Sequence, residues 1–212
     1  VTRYLPDFRP RLADGSAPTI TISQLMTHTS GLTYDLDNGN GKPASGGTGP
    51  SDFDLAANVA RISALPLAFP PGTGWRYSVG IDVLGAVMEA AEGRSLPEIV
   101  KAYVTEPLGM ADTAFRPVDP NRLAVAYADG TPPIRMGDIE RVTDGEGFVE
   151  FWVGRAFDET AFPSGGAGMI GSAEDFLTFL EAMRKGGAPF LSAASMPLLT
   201  EAHTVDLDPA PS

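Results

Sequence analysis

Apolar positions along the chain recur at helical spacing in five places. From Val79 onward, Val83, Leu84, Val87 and Met88 fall on one face, Asp82, Glu89 and Glu92 fall elsewhere, and Gly93 is placed to close the helix. Phe53, Leu55, Val59 and Ile62 alternate at three-and-four spacing, which predicts an amphipathic helix over residues 52–64. Thr21, followed three residues later by Gln24 and then by Leu25 and Met26, reads as a capping box. It predicts a short helix from about Ile22 to near Ser30, with Gly31 left-handed at its end. Ser95 caps a further helix through Lys101 and Tyr103, with Pro97 in its first turn. Ser172 caps a last one built on Phe176, Leu177, Phe179, Leu180 and Met183, which Gly186 and Gly187 stop. Between these, residues 37–51 are rich in Gly, Pro and Asn and form a long loop, while residues 116–159 carry short runs such as "LAVAY" and "GFVEFWV" without helical period. The latter predicts irregular structure with short strands.

Composition narrows the class. The 212 residues, 43% hydrophobic and 20% charged, suit an ordinary soluble globular protein, and no apolar run approaches the roughly 18 residues of a membrane span. A formal net charge of −12, with no stripe of Lys and Arg, disfavours a nucleic-acid partner, and none is expected. Without cysteine there is no disulfide, thiolate nucleophile or Cys-ligated metal, and His28 and His203 are too far apart in sequence to suggest a metal centre. No cofactor is expected. The opening "VTRYLPDFRPRL" has neither Met nor a signal-peptide pattern, and "TVDLDPAPS" closes in a Pro-rich loop, so both ends read as cut from something longer. Cytoplasm is favoured over periplasm.

Two familiar serine chemistries are missing. No serine has glycine two positions away on both sides, and the residues three before Lys42, Lys101 and Lys185 are Gly39, Glu98 and Ala182, so there is neither G-x-S-x-G nor S-x-x-K. Nevertheless "ITISQLMTHTSGL", "FPPGTGWRYSVGIDVLGAVMEAAEGRSLPEIVKAYVTEPLGMADTAF" and "PSGGAGMIGSAEDFLTFL" resemble, in that order, the middle of the serine β-lactamase-like superfamily. The nearest likeness is to the family VIII esterases, beside class C β-lactamases and D-peptidases. The resemblance implies an α+β β-lactamase/transpeptidase-like fold, of which this chain covers mostly the α-rich helical domain with short irregular strands. Residues 1–212 would be a single partial domain, with 163–185 returning toward a sheet domain. An S-x-x-K helix would lie shortly before Val1 and a Lys-Thr-Gly-like element after Ser212.

Site residues follow from the same likeness. "YSV" takes the place of the family's Y-x-N element, which makes Tyr77 the catalytic tyrosine; a plain loop phenol is the structural alternative. Val79 stands where β-lactamases carry Asn, so it either shapes an apolar ester site or is merely the first buried residue of its helix. Gly165 and Gly166, within "SGGAG", either line the cleft wall or make a tight turn where backbone passes close to backbone. Tyr34, Phe151 and Trp152 are candidates for an acyl or alcohol pocket, or for simple packing. His28 and Ser30, two apart on a helix, cannot share a face, so His28 reads as a packed, hydrogen-bonded histidine. The implied activity is acyl transfer from a small-molecule ester, or less readily a β-lactam, to water, carried out by a serine hydrolase that this chain alone cannot complete. A non-catalytic penicillin-binding-like module is the other reading. An apolar helical face left uncovered would invite self-association or a complementary segment.

Overall fold

In the computed structural model the described residues are 1–34, 53–144, 147–204 and 206–207. The expected loop over residues 37–51 and the first residue of the helix expected over residues 52–64 lie outside them. Six α-helices are present among the described residues: α1 (Ile22–Met26), α2 (Leu55–Ser63), α3 (Gly80–Glu92), α4 (Leu96–Val100), α5 (Ala173–Arg184) and α6 (Met196–Thr200). Two antiparallel ribbons lie between α4 and α5: β1 (Tyr127–Ala128) with β2 (Ile134–Arg135), and β3 (Ile139–Asp144) with β4 (Gly147–Trp152). The second is in register from Ile139 opposite Trp152 to Asp144 opposite Gly147.

Local chemistry starts most of the helices. The Gln24 amide donates to Thr21 Oγ1 at 3.2 Å while Gln24 Oε1 accepts from the Thr21 amide at 2.9 Å, which completes the capping box of α1. Asp54 caps α2 by accepting from the Ala57 amide at 2.8 Å, and Ser172 caps α5 by accepting from the Asp175 amide at 3.1 Å. Gly93 closes α3 with φ 66°, in the left-handed region.

α3 is the central element and packs against α1, α2 and α4. Leu25, Leu55, Val59, Ile62, Val79, Val83 and Phe162 form the core, with Phe8 and Ile20 from the N-terminal segment. Two glycines let the neighbours approach. A Cβ on Gly80 would sit 3.0 Å from the Leu25 carbonyl oxygen, and one on Gly85 would sit 3.0 Å from Leu96 Cδ2.

Three expectations are corrected. α1 ends at Met26 rather than near Ser30, because Thr27 Oγ1 bonds back to the Ser23 carbonyl and the chain reverses at His28, itself left-handed at φ 56°. The helix capped by Ser95 is α-helical only to Val100; residues Lys101–Thr105 widen to a π-turn. Asp82, placed by the periodicity away from the apolar face, is 0% exposed. In α5, Phe176, Leu177 and Leu180 are exposed and Ala182 is buried.

Candidate active site

The segment that carries Tyr77 is laced to the turn after α1. The Gly72 amide donates to the Thr29 carbonyl at 2.7 Å, the Ala68 amide to the Gly31 carbonyl at 2.9 Å, and the Arg76 amide to the His28 carbonyl at 3.0 Å. Gly31 is required here: its φ is 82°, and a Cβ would lie 2.3 Å from the Phe69 carbonyl oxygen. On the far side of Tyr77, the Ser78 amide donates to His28 Nδ1 at 3.3 Å. One histidine therefore holds the backbone both before and after the tyrosine. Because Nδ1 accepts, the neutral ring carries its proton on Nε2, and burial pulls the imidazole pKa below its ordinary value.

Rings complete the arrangement. The His28 imidazole centroid lies 4.6 Å from that of Tyr77, tilted 46°, and the Tyr34 ring stacks on Tyr77 at 5.4 Å and 22°. Trp75 meets His28 edge-on at 6.3 Å. Tyr77 itself is 57% exposed, with the backbone on both sides of it held by His28. The two phenols differ electrostatically. Burial raises the Tyr34 pKa, and the neighbouring Tyr77 and Asp82 and a hydrogen bond with Tyr77 push it further the same way. Tyr34 is thus a neutral donor throughout the physiological range.

A second cluster lies behind the first. Asp82 Oδ1 accepts from Ser164 Oγ at 2.6 Å and from the Gly166 amide at 3.2 Å. Ser164 Oγ in turn accepts from the Ala167 amide at 3.2 Å, and the Ser164 carbonyl accepts from the Gly168 amide at 3.0 Å. Burial pushes the Asp82 carboxyl up, against the two donors and the Arg155 charge, which act to lower it. Gly165 has no room for a side chain, since a Cβ would lie 2.6 Å from the Ile81 carbonyl oxygen. Gly166 has room, with its Cβ position 3.8 Å from both Asp82 Oδ1 and the Tyr34 hydroxyl.

The residues singled out from sequence therefore divide. Tyr77, Tyr34 and Gly166 come together, and Gly165 is the tight backbone approach beside them. Val79 is 1% exposed and belongs to the core, so its side chain is the first buried residue of its helix and not a pocket wall. Trp152 ends β4 half-buried, with its indole Nε1 turned toward Gly154. His28 touches Ser78, at 3.4 Å between Nδ1 and Oγ, and not Ser30. Asp82, Ser164 and Arg155 are the buried polar residues that sequence reasoning passed over. Among the described residues no group of three or more His, Asp or Glu side chains could hold a metal ion, and no helix is long and apolar enough to cross a membrane.

With a phenol held open at the start of a buried helix, and an α-rich body with short strands around it, the molecule can be set beside known proteins. The chain belongs to the beta-lactamase family, whose model matches residues 1–211. Its relatives include esterase EstB of Burkholderia gladioli, 52% identical over 193 residues, which cover 87% of this chain and 49% of that protein. Lovastatin esterase of Penicillium rubens is 30% identical over 206 residues, 96% of this chain and 49% of that protein. Among solved structures, EstCE1, a hydrolase with promiscuous acyltransferase activity, superposes with a TM-score of 0.83 at 40% identity, covering 93% of this chain and 54% of its own. A D-stereospecific amidohydrolase from a Streptomyces species shares the fold, with a TM-score of 0.67 at 23% identity. The chain spans about half the length of the curated relatives it matches. It is an α-rich part of the β-lactamase/transpeptidase fold.

Proposed function

We propose that this chain is the tyrosine-bearing part of a serine hydrolase that transfers the acyl group of a small-molecule carboxylic ester to water. In this reading residues 1–212 form the helical domain, and residues 163–185 lead toward a sheet domain. The observation that carries it is Tyr77: its backbone is tied on both sides to His28, its ring lies against His28 and Tyr34, and the residue is 57% exposed. A general acid or base must reach the reacting atoms without moving its own anchor, and this phenol is so built. The esterase relatives at 52% and 30% identity support the ester over the β-lactam.

A free phenol ionises near pH 10, and a cation within roughly 4–6 Å lowers that by about 1–3 units. The lysine of an S-x-x-K pair would be that cation, and no S-x-x-K occurs in these 212 residues. The serine attacks the ester carbonyl, its proton passes to the Tyr77 oxygen and then to the departing alkoxide, and water repeats the sequence on the acyl-enzyme. Tyr34, kept protonated, donates toward Tyr77 and orients its lone pair. Alone, the 212-residue chain turns over no ester. The exposed Phe176, Leu177 and Leu180 of α5 support a further body of the same protein seated on that face.

The test is Tyr77→Phe in the full-length protein, with hydrolysis of a short-chain aryl ester and fluorophosphonate labelling measured together. Turnover should fall by about 10²-fold or more, the range expected for loss of a proton-transfer group, with the unfolding midpoint unchanged. Hydrolysis at the original rate would remove Tyr77 from this role.

A further inference from the structure

The backbone on both sides of Tyr77 is held by His28, and Tyr34 stacks on the Tyr77 ring. Part of what stands near Tyr34 comes from far along the chain. The position a Cβ would occupy on Gly166 is 3.8 Å from the Tyr34 hydroxyl, 3.8 Å from Asp82 Oδ1 and 3.9 Å from Asp82 Oδ2. The side-chain position of Gly166 thus faces both the Asp82 carboxylate and the Tyr34 hydroxyl, which sets the turn beside the phenol. The turn is held there by a single side-chain oxygen, because Asp82 Oδ1 accepts from both Ser164 Oγ and the Gly166 amide. Asp82 and Ser164 are fully buried, and Asp82 Oδ2 has no hydrogen-bond partner. A buried carboxylate costs free energy to keep, more so with one oxygen unmatched. Leucine or isoleucine would fill the start of a packed helix at less cost, so the carboxylate is retained for what it holds.

We infer that Asp82 is a positioning residue for the tyrosine pair: by fastening the Ser164–Gly168 turn it sets the place of Gly166, and through Gly166 the place of Tyr34 against Tyr77. The carboxylate lies five positions after the phenol in sequence, on the first turn of the helix that the phenol precedes. α3 thereby fixes Tyr77 at its entrance and, through the turn 82 residues further along, fixes the ring stacked on it. The groups facing the carboxylate are the Ser164 hydroxyl and the Gly165 and Gly166 amides of the turn, the Arg155 guanidinium from the 3-10 segment Val153–Phe157, and the Tyr34 phenol. Arg155 is already engaged, donating to the Phe162 carbonyl at 2.7 Å and lying over the Phe162 ring at 4.6 Å. It contributes charge to the site while its position is set by Phe162.

This inference rests on the reading of Tyr77 as the proton-moving phenol, and the experiment separates the two. In the full-length protein, Asp82→Ala, Asp82→Asn, Ser164→Ala and Tyr77→Phe are compared by kcat per fluorophosphonate-titrated site, KM for an aryl ester and unfolding midpoint. Counting titrated sites removes any loss that comes from unfolded protein. Asp82→Ala should lower kcat per site by about ten- to a hundredfold, as misplacement of a reacting group does, with KM changed by less than about twofold. Ser164→Ala, which removes one donor and leaves the acceptor, should lower it less. Asn offers the same acceptor to Ser164 and Gly166 and places its amide where Oδ2 has no partner, so Asp82→Asn should recover most of the loss. Should Asp82→Ala yield no folded protein, Ser164→Ala carries the comparison, since deleting a hydroxyl leaves the packing intact. Unchanged kcat per site in Asp82→Ala and Ser164→Ala, with Tyr77→Phe inactive, overturns the positioning role alone; equal impairment in Asp82→Ala and Asp82→Asn overturns it too. Full activity in Tyr77→Phe overturns the underlying reading instead.

Discussion

α3 and α5 are nearly equal in length, 13 and 12 residues, yet they are helices for opposite reasons. α5 has the local signals: Ser172 caps it, Glu174 and Asp175 face the positive end of its dipole, and Arg184 lies at the negative end. Its apolar residues are nevertheless largely exposed. α3 begins at Val79 with no side-chain cap, contains two glycines, and has no basic residue in its last turn. Its stability comes from burial on nearly every side, through Gly80, Asp82, Val83, Gly85, Ala86 and Val87. A helix made by its neighbours can carry a site, because its ends are fixed by those neighbours. A helix made by its own caps can be a plain exterior, or wait for a partner.

The largest break in this contrast comes from one kind of change made in both helices. Val83→Asp, at a position 0% exposed, should abolish the cooperative unfolding transition followed by far-ultraviolet circular dichroism. Leu177→Asp, at 66% exposure, should move the stability of the 212-residue chain by less than about 0.5 kcal/mol. In the full-length protein the same α5 substitution should cost several times more where α5 seats on a second body, and an equally small effect there argues against such seating. Next in size is the glycine pair behind Asp82. Gly165→Ala drives a methyl group to 2.6 Å from the Ile81 carbonyl oxygen of α3 and should cost about 1–3 kcal/mol in denaturant titration. Gly166→Ala, with its nearest neighbours at 3.8 Å, should cost little. Equal costs would mean that the turn is not pressed against α3 as described.

The smallest effect is a pH slope. Burial holds the His28 pKa below the roughly 6.5 of an unfolded histidine. Between that lowered value and about 6.5 the unfolded chain binds more protons than the folded one, so stability rises with pH across this window and is level above it. Acidification should therefore loosen the entrance of α3, where protonated Nδ1 can no longer accept from the Ser78 amide. The fall in unfolding midpoint from about pH 7.5 to about pH 5.5 should be smaller in His28→Gln than in the parent. An identical fall in both would take His28 out of the pH response.

The same contrast explains what could be read from the chain before folding. Thr21 with Gln24, Ser95 with Glu98 and Ser172 with Asp175 announce their helices within four residues, and Gly93 ends α3 by a preference glycine has anywhere. Asp82 was illegible because its partner, Ser164, is 82 residues away and because a helical wheel assumes one wet face, which α3 does not have near its start. The signal was present in another form: Gly80 and Gly85 inside a helix, together with "SGGAG" later on, mark close approach from several sides. The reversal at His28 had no local marker, since a left-handed histidine is imposed by its surroundings. The phenol itself was found through its likeness to a family and its ring partners only through folding, because stacking between Tyr34 and Tyr77 depends on where two loops meet.

The double tether of His28 to the residues on either side of Tyr77 has a dynamic consequence. With the Arg76 and Ser78 amides both bound to one residue, hinge motion of that loop would have to break both bonds together. What freedom remains to the phenol is torsion about its own two side-chain bonds, on picosecond to nanosecond scales. Under the proposed function, such rocking of one ring is the motion by which the phenol would hand over a proton.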